Sequence, residues 1–232
     1  MPALWRWLPE RVADLFFPRR CIICGRSGDY LCPGCIATLL RLLPPLCPGC
    51  GLPISVEPCP ACRQRKPEID GIYAPFRFEG PARQAVHLLK YQNIKALALT
   101  LAGFMASHIR LHPLPVEAIV PVPLHRARMR RRGYNQAELL AYVLGQGLGL
   151  PVNPGWLERD LPGYPQAPRT TSREERWRNA TGAFRAKEAM PAKRVLLVDD
   201  VCTTGATLSS FAVALKGAGA VQVWGLTLAR EI

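Results

Sequence analysis

From residue 71 onward, short apolar runs alternate with stretches in which apolar residues recur every three or four positions. Short apolar runs predict buried strands, and the wider spacing predicts helices with one buried face. We predict strands at 118–124, 195–198 and 221–228, a strand or ribbon at 71–78, and helices at 81–91, 94–109, 136–144 and 208–216, with Gly145 ending the third helix. This alternation favours an α/β fold with a mostly parallel sheet and helices on both faces.

The first 66 residues follow a different pattern. Residues 1–19 predict an amphipathic helix, in which Arg6, Glu10 and Arg11 interrupt the apolar positions. These charges exclude the clean apolar core of a signal peptide or a membrane span. Residues 20–66 have few aliphatic side chains between their cysteines, which predicts a small module stabilised by metal. We therefore divide the chain into a helix at 1–19, a cysteine-rich module at 20–66 and an α/β domain at 70–232.

Eight of the nine cysteines form four Cys-x-x-Cys pairs. Each pair aims two thiolates at one tetrahedral ion, so two pairs complete a structural zinc site and the chain predicts two Zn²⁺ ions. Short loops favour pairing between neighbours, although an interleaved arrangement stays open. Disulfides are the alternative, but they need an oxidising compartment and no secretory signal is visible, so we predict a cytoplasmic protein. The sequential quartets are Cys21, Cys24, Cys32 and Cys35, and then Cys47, Cys50, Cys59 and Cys62.

Two acids and a hydroxyl-rich turn follow the predicted strand at 195–198. Asp199 and Asp200 end the strand, and three threonines surround Gly205 in the turn. Main-chain N–H groups in such a turn and at a helix N-terminus bind phosphate, whereas carboxylates suit sugar hydroxyls or Mg²⁺. This order predicts a phosphosugar site at the carboxyl edge of the sheet. The candidate residues are Asp199, Asp200, Val201, Cys202, Thr203, Thr204, Gly205, Ala206 and Thr207.

The chain carries a formal net charge of +13. Its arginines cluster at 125–136 and at 169–179. Basic surfaces attract nucleic acid, pyrophosphate or an anionic membrane surface, although a solvated basic face is the ordinary explanation of a charge run. For the first cluster, phosphate handling and nucleic-acid contact are both open.

The segment 198–208 closely resembles the phosphoribosyl-pyrophosphate (PRPP) loop of the type I phosphoribosyltransferases. The chain as a whole resembles the ComF proteins, in which a double zinc ribbon precedes a phosphoribosyltransferase-like domain. This second resemblance covers the cysteine pairs and the segments LKY at 89–91, VPVPL at 120–124, RGYNQA at 132–137 and RWRNATGAF at 176–184. The RGYNQA and RWRNATGAF segments make it specific, because other phosphoribosyltransferases share mainly the PRPP loop.

These resemblances imply roles for individual residues. The loop at 199–207 is expected to bind PRPP, with Mg²⁺ as its companion ion. Lys90 and Tyr91 are expected in the loop that holds pyrophosphate. The full set of pyrophosphate and flexible-loop candidates is Lys90, Tyr91, Arg131, Arg132, Gln166, Arg176 and Asn179.

The ComF resemblance implies a role in DNA uptake during natural competence. The expected partners are PRPP, incoming single-stranded DNA and DNA-uptake proteins. The apolar residues of the N-terminal helix favour packing on the zinc ribbon, and contact with a partner or with the inner face of the membrane is the alternative. An active phosphoribosyltransferase with a nitrogen acceptor and a PRPP-sensing module are the two alternatives. Glutamine-dependent amidophosphoribosyltransferase chemistry is not expected, because residue 2 is proline rather than a nucleophilic cysteine.

Overall fold

The computed structural model describes residues 19–56, 59–64, 66–159, 184–186 and 191–232. The predicted helix at 1–19 lies outside these ranges except for its last residue. Within the described ranges, no helix combines the length and the apolar content that crossing a bilayer requires. In chain order the elements are α1 (Pro33–Ala37), α2 (Pro60–Gln64), β1 (Gly71–Tyr73), β2 (Phe76–Arg77), α3 (Gly80–Tyr91), α4 (Leu97–Leu111), β3 (Ala118–Pro121), α5 (Arg126–Arg132), α6 (Gln136–Leu148), a 3₁₀ turn (Pro154–Trp156), β4 (Leu157–Arg159), β5 (Phe184–Ala186), β6 (Arg194–Cys202), α7 (Ala206–Gly217) and β7 (Gln222–Arg230).

A parallel sheet of five strands forms the centre of the α/β part. Its order is β1–β7–β6–β3. Strand β2 also pairs with β7, at residues 229–230, which follow the residues that pair with β1. Strand β7 is therefore central, with β1 and β2 on one side and β6 on the other. Strands β4 and β5 form a separate antiparallel ribbon. The mostly parallel sheet predicted from the sequence is confirmed.

Helices cover both faces of the sheet. Leu196 and Val198 of β6 pack with residues of α3, α4 and α6. Val195 and Leu197 alternate with them and pack on the other side against α7. All four side chains are fully buried, which explains why β6 has a continuous apolar run rather than an alternating pattern. The predicted α/β class with helices on both faces is confirmed.

The two cysteine quartets relate differently to this core. Cys21, Cys32 and Cys35 are buried and join the same apolar cluster as the helices α3 and α4. The second quartet forms a small cluster of its own. It nevertheless lies against β1, because a Cβ added to Gly51 would stand 2.4 Å from the carbonyl oxygen of Ile72.

Strand β6 is longer than predicted. The prediction that it stops before the two acids is wrong, because pairing with β7 continues to Cys202. Asp199 and Asp200 therefore belong to the strand, and Asp199 lies opposite Thr227. Backbone pairing with a central strand fixes the two carboxylates more firmly than a loop would.

The predicted end of helix α6 at Gly145 is also wrong. The helix continues to Leu148 and ends at Gly149, whose φ of 68° is the left-handed conformation typical of a helix C-terminus. Gly145 instead allows a close approach within the core. A Cβ there would lie 2.5 Å from Cγ2 of Val152 and 2.9 Å from the carbonyl oxygen of Leu150.

Candidate functional site

A cleft of about 260 Å³ opens at the carboxyl ends of β3 and β6. Parallel α/β sheets bind their ligands at this edge, because the loops that leave the strands diverge there. Residues from β6, the turn before α7, the end of α3, the segment after β3, and α5 line the cleft. They are Phe78, Lys90, Tyr91, Val122, Pro123, Leu124, Arg128, Arg132, Gln136, Asp199, Asp200, Val201, Thr203 and Thr207.

The turn between β6 and α7 has the geometry of a helix-terminal anion site. Gly205 is the N-cap of α7 and has φ 83°, a left-handed conformation that favours glycine. The hydroxyl oxygen of Thr204 accepts a hydrogen bond from the N–H of Ala206 at 3.2 Å, which shapes the turn. Thr203 and Thr207 line the cleft. The turn therefore presents hydroxyls and a helix N-terminus to the same space.

Of the other predicted loop residues, some contribute to the cleft surface and others are buried. Val201 lines the cleft, whereas Cys202 and Ala206 are buried beneath it. Burial raises the pKa of the Cys202 thiol to about 11, against the lowering effect of Arg230. A thiol with so high a pKa is protonated near neutral pH and is a poor nucleophile. Cys202 therefore serves packing rather than chemistry.

A lysine faces the two acids at the floor of the cleft. The Nζ atom of Lys90 lies 2.7 Å from Oδ2 of Asp200, whose side chain is only 3 % exposed. This oxygen makes no hydrogen bond of good geometry among the described residues, so the lysine is its ionic partner. Burial lowers the pKa of Lys90, but Asp200 and Asp199 outweigh burial and the net pKa is raised.

The adjacent Asp199 has a different proton affinity. Burial, together with the neighbouring charge of Asp200, raises the pKa of Asp199 to about 8, although Lys90 opposes the shift. One Asp199 oxygen, Oδ1, accepts a hydrogen bond from the N–H of Asp200 at 2.8 Å. Asp200 thus faces an ammonium, and the pKa of Asp199 lets its carboxyl group hold a proton near neutral pH.

Arginines form part of the cleft wall. Arg128 and Arg132 of α5 line it together with Tyr91 at the end of α3. The Arg132 guanidinium lies 5.4 Å from the centre of the Tyr91 ring and donates a hydrogen bond to Gln136. Such a cation–π contact holds the side chain without neutralising its charge. This wall can therefore attract an anion.

The RGYNQ segment at 132–136 explains how α5 is held beside α3. Gly133 ends α5 with φ 79°. The hydroxyl of Tyr134 donates to the carbonyl of Leu89, the residue before Lys90. Asn135 caps α6 and donates from Nδ2 to the carbonyl of Val122 at 3.0 Å. The segment thus ties together three parts of the cleft wall.

The structure brings some predicted pyrophosphate candidates together and not others. Lys90, Tyr91 and Arg132 line the cleft, but Arg131 is exposed on α5 and is not among the lining residues. Arg128 also lines the cleft, although the sequence placed it only in the arginine cluster at 125–136 and not in the set of pyrophosphate candidates. Its membership of an arginine run concealed its position, since only the helical turn between 128 and 132 places both on one side. Gln166, Arg176 and Asn179 lie outside the described residues.

The cysteines form two compact quartets in sequential order. In each quartet the four sulfur atoms lie within 4.8 Å of one another, and the nearest pairs are 3.6–3.7 Å apart. Four thiolates at 2.3 Å from one Zn²⁺ would be separated by about 3.8 Å, so the geometry fits structural zinc. No disulfide joins any of the nine cysteines. The predicted pair of Cys₄ zinc sites and their sequential composition are supported.

One buried residue near the loop was missed entirely. Arg230, at the end of β7, is 2 % exposed and hydrogen-bonds to main-chain carbonyls around the loop. The only sequence signal is a lone arginine at the end of an otherwise apolar strand. Such an arginine is usually assigned to the surface, so the signal was easy to overlook.

Comparison with known proteins extends over nearly the whole chain. Residues 12–64 match the model of the double zinc ribbon domain. The chain is 35 % identical to competence protein F of Haemophilus influenzae, covering 92 % of this chain and 99 % of the relative. It is 34 % identical to the DNA utilization protein YhgH of Salmonella typhi, over 91 % of this chain and 98 % of the relative. It is 24 % identical to competence protein ComFC of Bacillus subtilis, over 91 % of this chain and 89 % of the relative. The resemblance inferred from the sequence is thereby confirmed, and the chain belongs to the competence protein F (ComF) family.

Proposed function

We propose that the cleft binds PRPP or a closely related phosphorylated ribose. The supporting observation is that one small cleft is lined by a hydroxyl-bearing turn at a helix N-terminus, by Asp199 and Asp200, and by two arginines of α5. A phosphate is repelled by carboxylates but is favoured at the turn, where N–H groups and the helix dipole act together. Ribose hydroxyls can donate to the carboxylates, and a pyrophosphate suits the arginine wall.

Each part of the ligand then has a place. The 5′-phosphate lies on the turn that contains Thr203 and Thr207, and the ribose hydroxyls face Asp199 and Asp200. The pyrophosphate extends toward Arg132 and its neighbour Arg128. Because Lys90 already neutralises Asp200, we assign Mg²⁺ to the oxygens of the pyrophosphate, which are ligands of the kind this ion prefers.

Calorimetry with three ligands tests this assignment. Ribose 5-phosphate, inorganic pyrophosphate and Mg²⁺–PRPP are titrated into the wild type, the double variant Asp199→Asn/Asp200→Asn, and Arg132→Gln. We expect the double variant to lose ribose 5-phosphate and PRPP binding, and Arg132→Gln to lose PRPP and pyrophosphate binding while retaining ribose 5-phosphate. Unchanged PRPP affinity in a folded double variant would refute the proposal. Asp29→Asn, which changes an exposed carboxylate elsewhere, is the matched control.

We further propose that the chain serves DNA uptake by handling single-stranded DNA. Two observations support this role: the names of the relatives, which are competence and DNA utilization proteins, and the exposed arginines of α5 in a chain of net charge +13. Phosphate contacts through such arginines would be independent of base sequence and sensitive to salt.

The two arginine groups on α5 allow DNA binding and PRPP binding to be separated. Arg130 and Arg131 are exposed and do not line the cleft, whereas Arg132 does. Charge reversal to Arg130→Glu/Arg131→Glu should weaken binding to a single-stranded oligonucleotide and leave PRPP affinity unchanged. If both side chains contact phosphates, the slope of log affinity against log salt should fall by about 1.4. No oligonucleotide binding by the wild type at low salt would refute this part.

Turnover distinguishes a transferase from a PRPP-sensing module. Transfer would break the bond between the anomeric carbon of the ribose and pyrophosphate, form a bond to a nitrogen acceptor and release pyrophosphate. Release of pyrophosphate from PRPP, measured with bases, amines and oligonucleotides as acceptors, would support the transferase. PRPP binding without release under all of these conditions would favour the sensor.

A further inference from the structure

Arg230 is a buried cation at the junction of three parts of the molecule. It ends β7, has a relative exposure of 2 %, and is the largest fully buried side chain among the described residues. A buried guanidinium is costly unless its N–H groups are hydrogen-bonded. The position of its partners therefore shows what the residue holds together.

Apart from the carbonyl oxygen of the adjacent Glu231, 3.3 Å from Nη1, those partners belong to the second cysteine quartet and to the β6–α7 turn. Nε donates to the carbonyl oxygen of Cys50 at 3.0 Å. Nη1 donates to the carbonyl oxygens of Cys202, at 3.1 Å, and of Thr203. One rigid, planar group thus links a predicted zinc ligand to the two residues at which the phosphate turn begins.

Close packing at two glycines also connects the second quartet to the phosphate turn, independently of Arg230. A Cβ on Gly71 of β1 would lie 2.9 Å from the carbonyl oxygen of Pro48, inside the second quartet's first knuckle. On the other side of β1, a Cβ on Gly205 would lie 3.2 Å from Cδ1 of Ile72. Strand β1 is therefore in contact with the knuckle at one residue and with the N-cap of the turn at the next. The knuckle thus packs closely against β1, and β1 packs closely against the turn.

The first quartet has no comparable route among the described residues. Cys21, Cys32 and Cys35 pack into the helix layer. The hydrogen bond from Gln84 to the carbonyl oxygen of Ile22, at 2.6 Å, joins this module to the first half of α3. The two quartets thus offer a matched comparison within one chain. Among the described residues, the hydrogen bonds of Arg230 link the second quartet to the phosphate turn, whereas the first quartet packs on α3, whose end carries Lys90 and Tyr91.

We propose that metal in the second quartet, acting through Arg230, sets the affinity of the cleft for its phosphorylated ligand. Arg230 is a positioning residue: it holds the carbonyls of Cys202 and Thr203 so that the turn keeps its N–H groups directed into the cleft. Loss of the second ion would loosen the knuckle, release Cys50 from Arg230 and widen the range of conformations of the turn. The proposal rests on the proposed function for its ligand, but the coupling itself is a property of the ligand-free chain.

Matched cysteine variants test the coupling. Cys62→Ser removes a partly exposed ligand of the second quartet, and Cys24→Ser removes an exposed ligand of the first. Each should retain one equivalent of zinc by elemental analysis. We expect Cys62→Ser to lower the affinity for Mg²⁺–PRPP by about tenfold or more, which is the effect of losing one charge-assisted hydrogen bond. Cys24→Ser should change this affinity by less than about threefold. Equal effects of the two variants, or no effect of Cys62→Ser, would overturn the proposal.

A second variant covers the case in which Cys62→Ser does not fold. Arg230→Lys retains the charge but replaces the forked donor with a single ammonium, so it should keep both zinc ions and still bind PRPP more weakly. Wild-type affinity in a folded Arg230→Lys variant would overturn the proposal. Amide hydrogen exchange of residues 199–207 without ligand keeps this test separate from the proposed function. If the wild type binds no PRPP, the proposed function fails, but faster exchange in Cys62→Ser than in Cys24→Ser still supports the coupling, and equal exchange refutes it.

Discussion

Replacing Asp199 with asparagine should stabilise the ligand-free chain, and the gain should grow with pH. Burial and the neighbouring Asp200 raise the pKa of Asp199 from its ordinary value of 3.8 to about 8. The folded chain therefore holds this proton over a pH range in which the unfolded chain has released it. A group whose pKa is raised by folding contributes stability at low pH that is lost as pH increases, up to the folded pKa. Asparagine stays neutral and avoids this loss.

The magnitude follows from the two pKa values. Between pH 4 and pH 8 the difference in bound protons lowers the free energy of unfolding by about 1.4 kcal/mol per pH unit. The full interval sets an upper bound on the order of 6 kcal/mol, and the partial exposure of Asp199 reduces it. For a chain of 232 residues, 1 kcal/mol corresponds to roughly 2–4 °C in Tm. The Tm advantage of Asp199→Asn should therefore widen by at most roughly 3–6 °C per pH unit.

Thermal unfolding followed by circular dichroism from pH 5.5 to 8.5 at constant ionic strength measures this advantage. Protonation of the zinc-binding thiolates at low pH affects both proteins, so it cancels in the difference between their Tm values. Asp29→Asn, an exposed carboxylate, is the control and should give a small difference that does not change with pH. A pH-independent difference between Asp199→Asn and wild type would refute the argument that burial of this carboxyl group destabilises its charged form.

Two further outcomes are expected. Gly51→Ala should lower the free energy of unfolding, measured by denaturant titration, by a few kcal/mol. The φ of 69° at this position disfavours residues other than glycine, and the added Cβ would stand 2.4 Å from the carbonyl oxygen of Ile72. In the same titration Gly34→Ala in α1, where the added methyl group has open space around it, should be neutral or stabilising. Freshly purified protein should contain two equivalents of zinc by elemental analysis, and one equivalent or none, or disulfides in the mass spectrum, would contradict the two Cys₄ sites.

The features that were predicted correctly from the sequence are those encoded by neighbouring residues. The Cys-x-x-Cys spacing alone sets two thiolates on one ion, and short loops select the sequential partner. The β6–turn–α7 unit also lies within one stretch, where an apolar run, a glycine N-cap and hydroxyl residues follow in order. Local chemistry of this kind needs no knowledge of the remaining chain.

The features that escaped prediction depend on contacts between distant segments. Asp200 and Lys90 are far apart in sequence, and their 2.7 Å ion pair arises because α3 ends beside the carboxyl end of β6. Gly145 resembles a helix terminator until the packing of Val152 against it is known. Arg230 resembles a surface residue until its carbonyl partners are placed. In each case the residue type allowed two environments, and tertiary packing selected one.

The helix α5 is an intermediate case. Its arginine run indicated charge but carried no apolar periodicity from which a helix could be predicted. The ends contain the missing information: Nδ1 of His125 accepts from the N–H of Ala127 at 3.1 Å, and Gly133 closes the last turn. Short polar helices of this kind are defined by their caps.

The central position of β7 has a consequence for the order in which the molecule can assemble during synthesis. Strands β1 and β2 lie early in the chain, yet the strand with which they pair in the sheet is β7, the last one described. Outside the sheet, Phe76 of β2 forms an isolated bridge with Arg41. At about 5–20 residues per second, β7 leaves the ribosome roughly 10–30 s after the second cysteine quartet. The cysteines can therefore collect their metal while the sheet is still open and the cleft does not yet exist. Metal loading can thus precede ligand binding, and a shortage of zinc can affect a new chain before its sheet is complete.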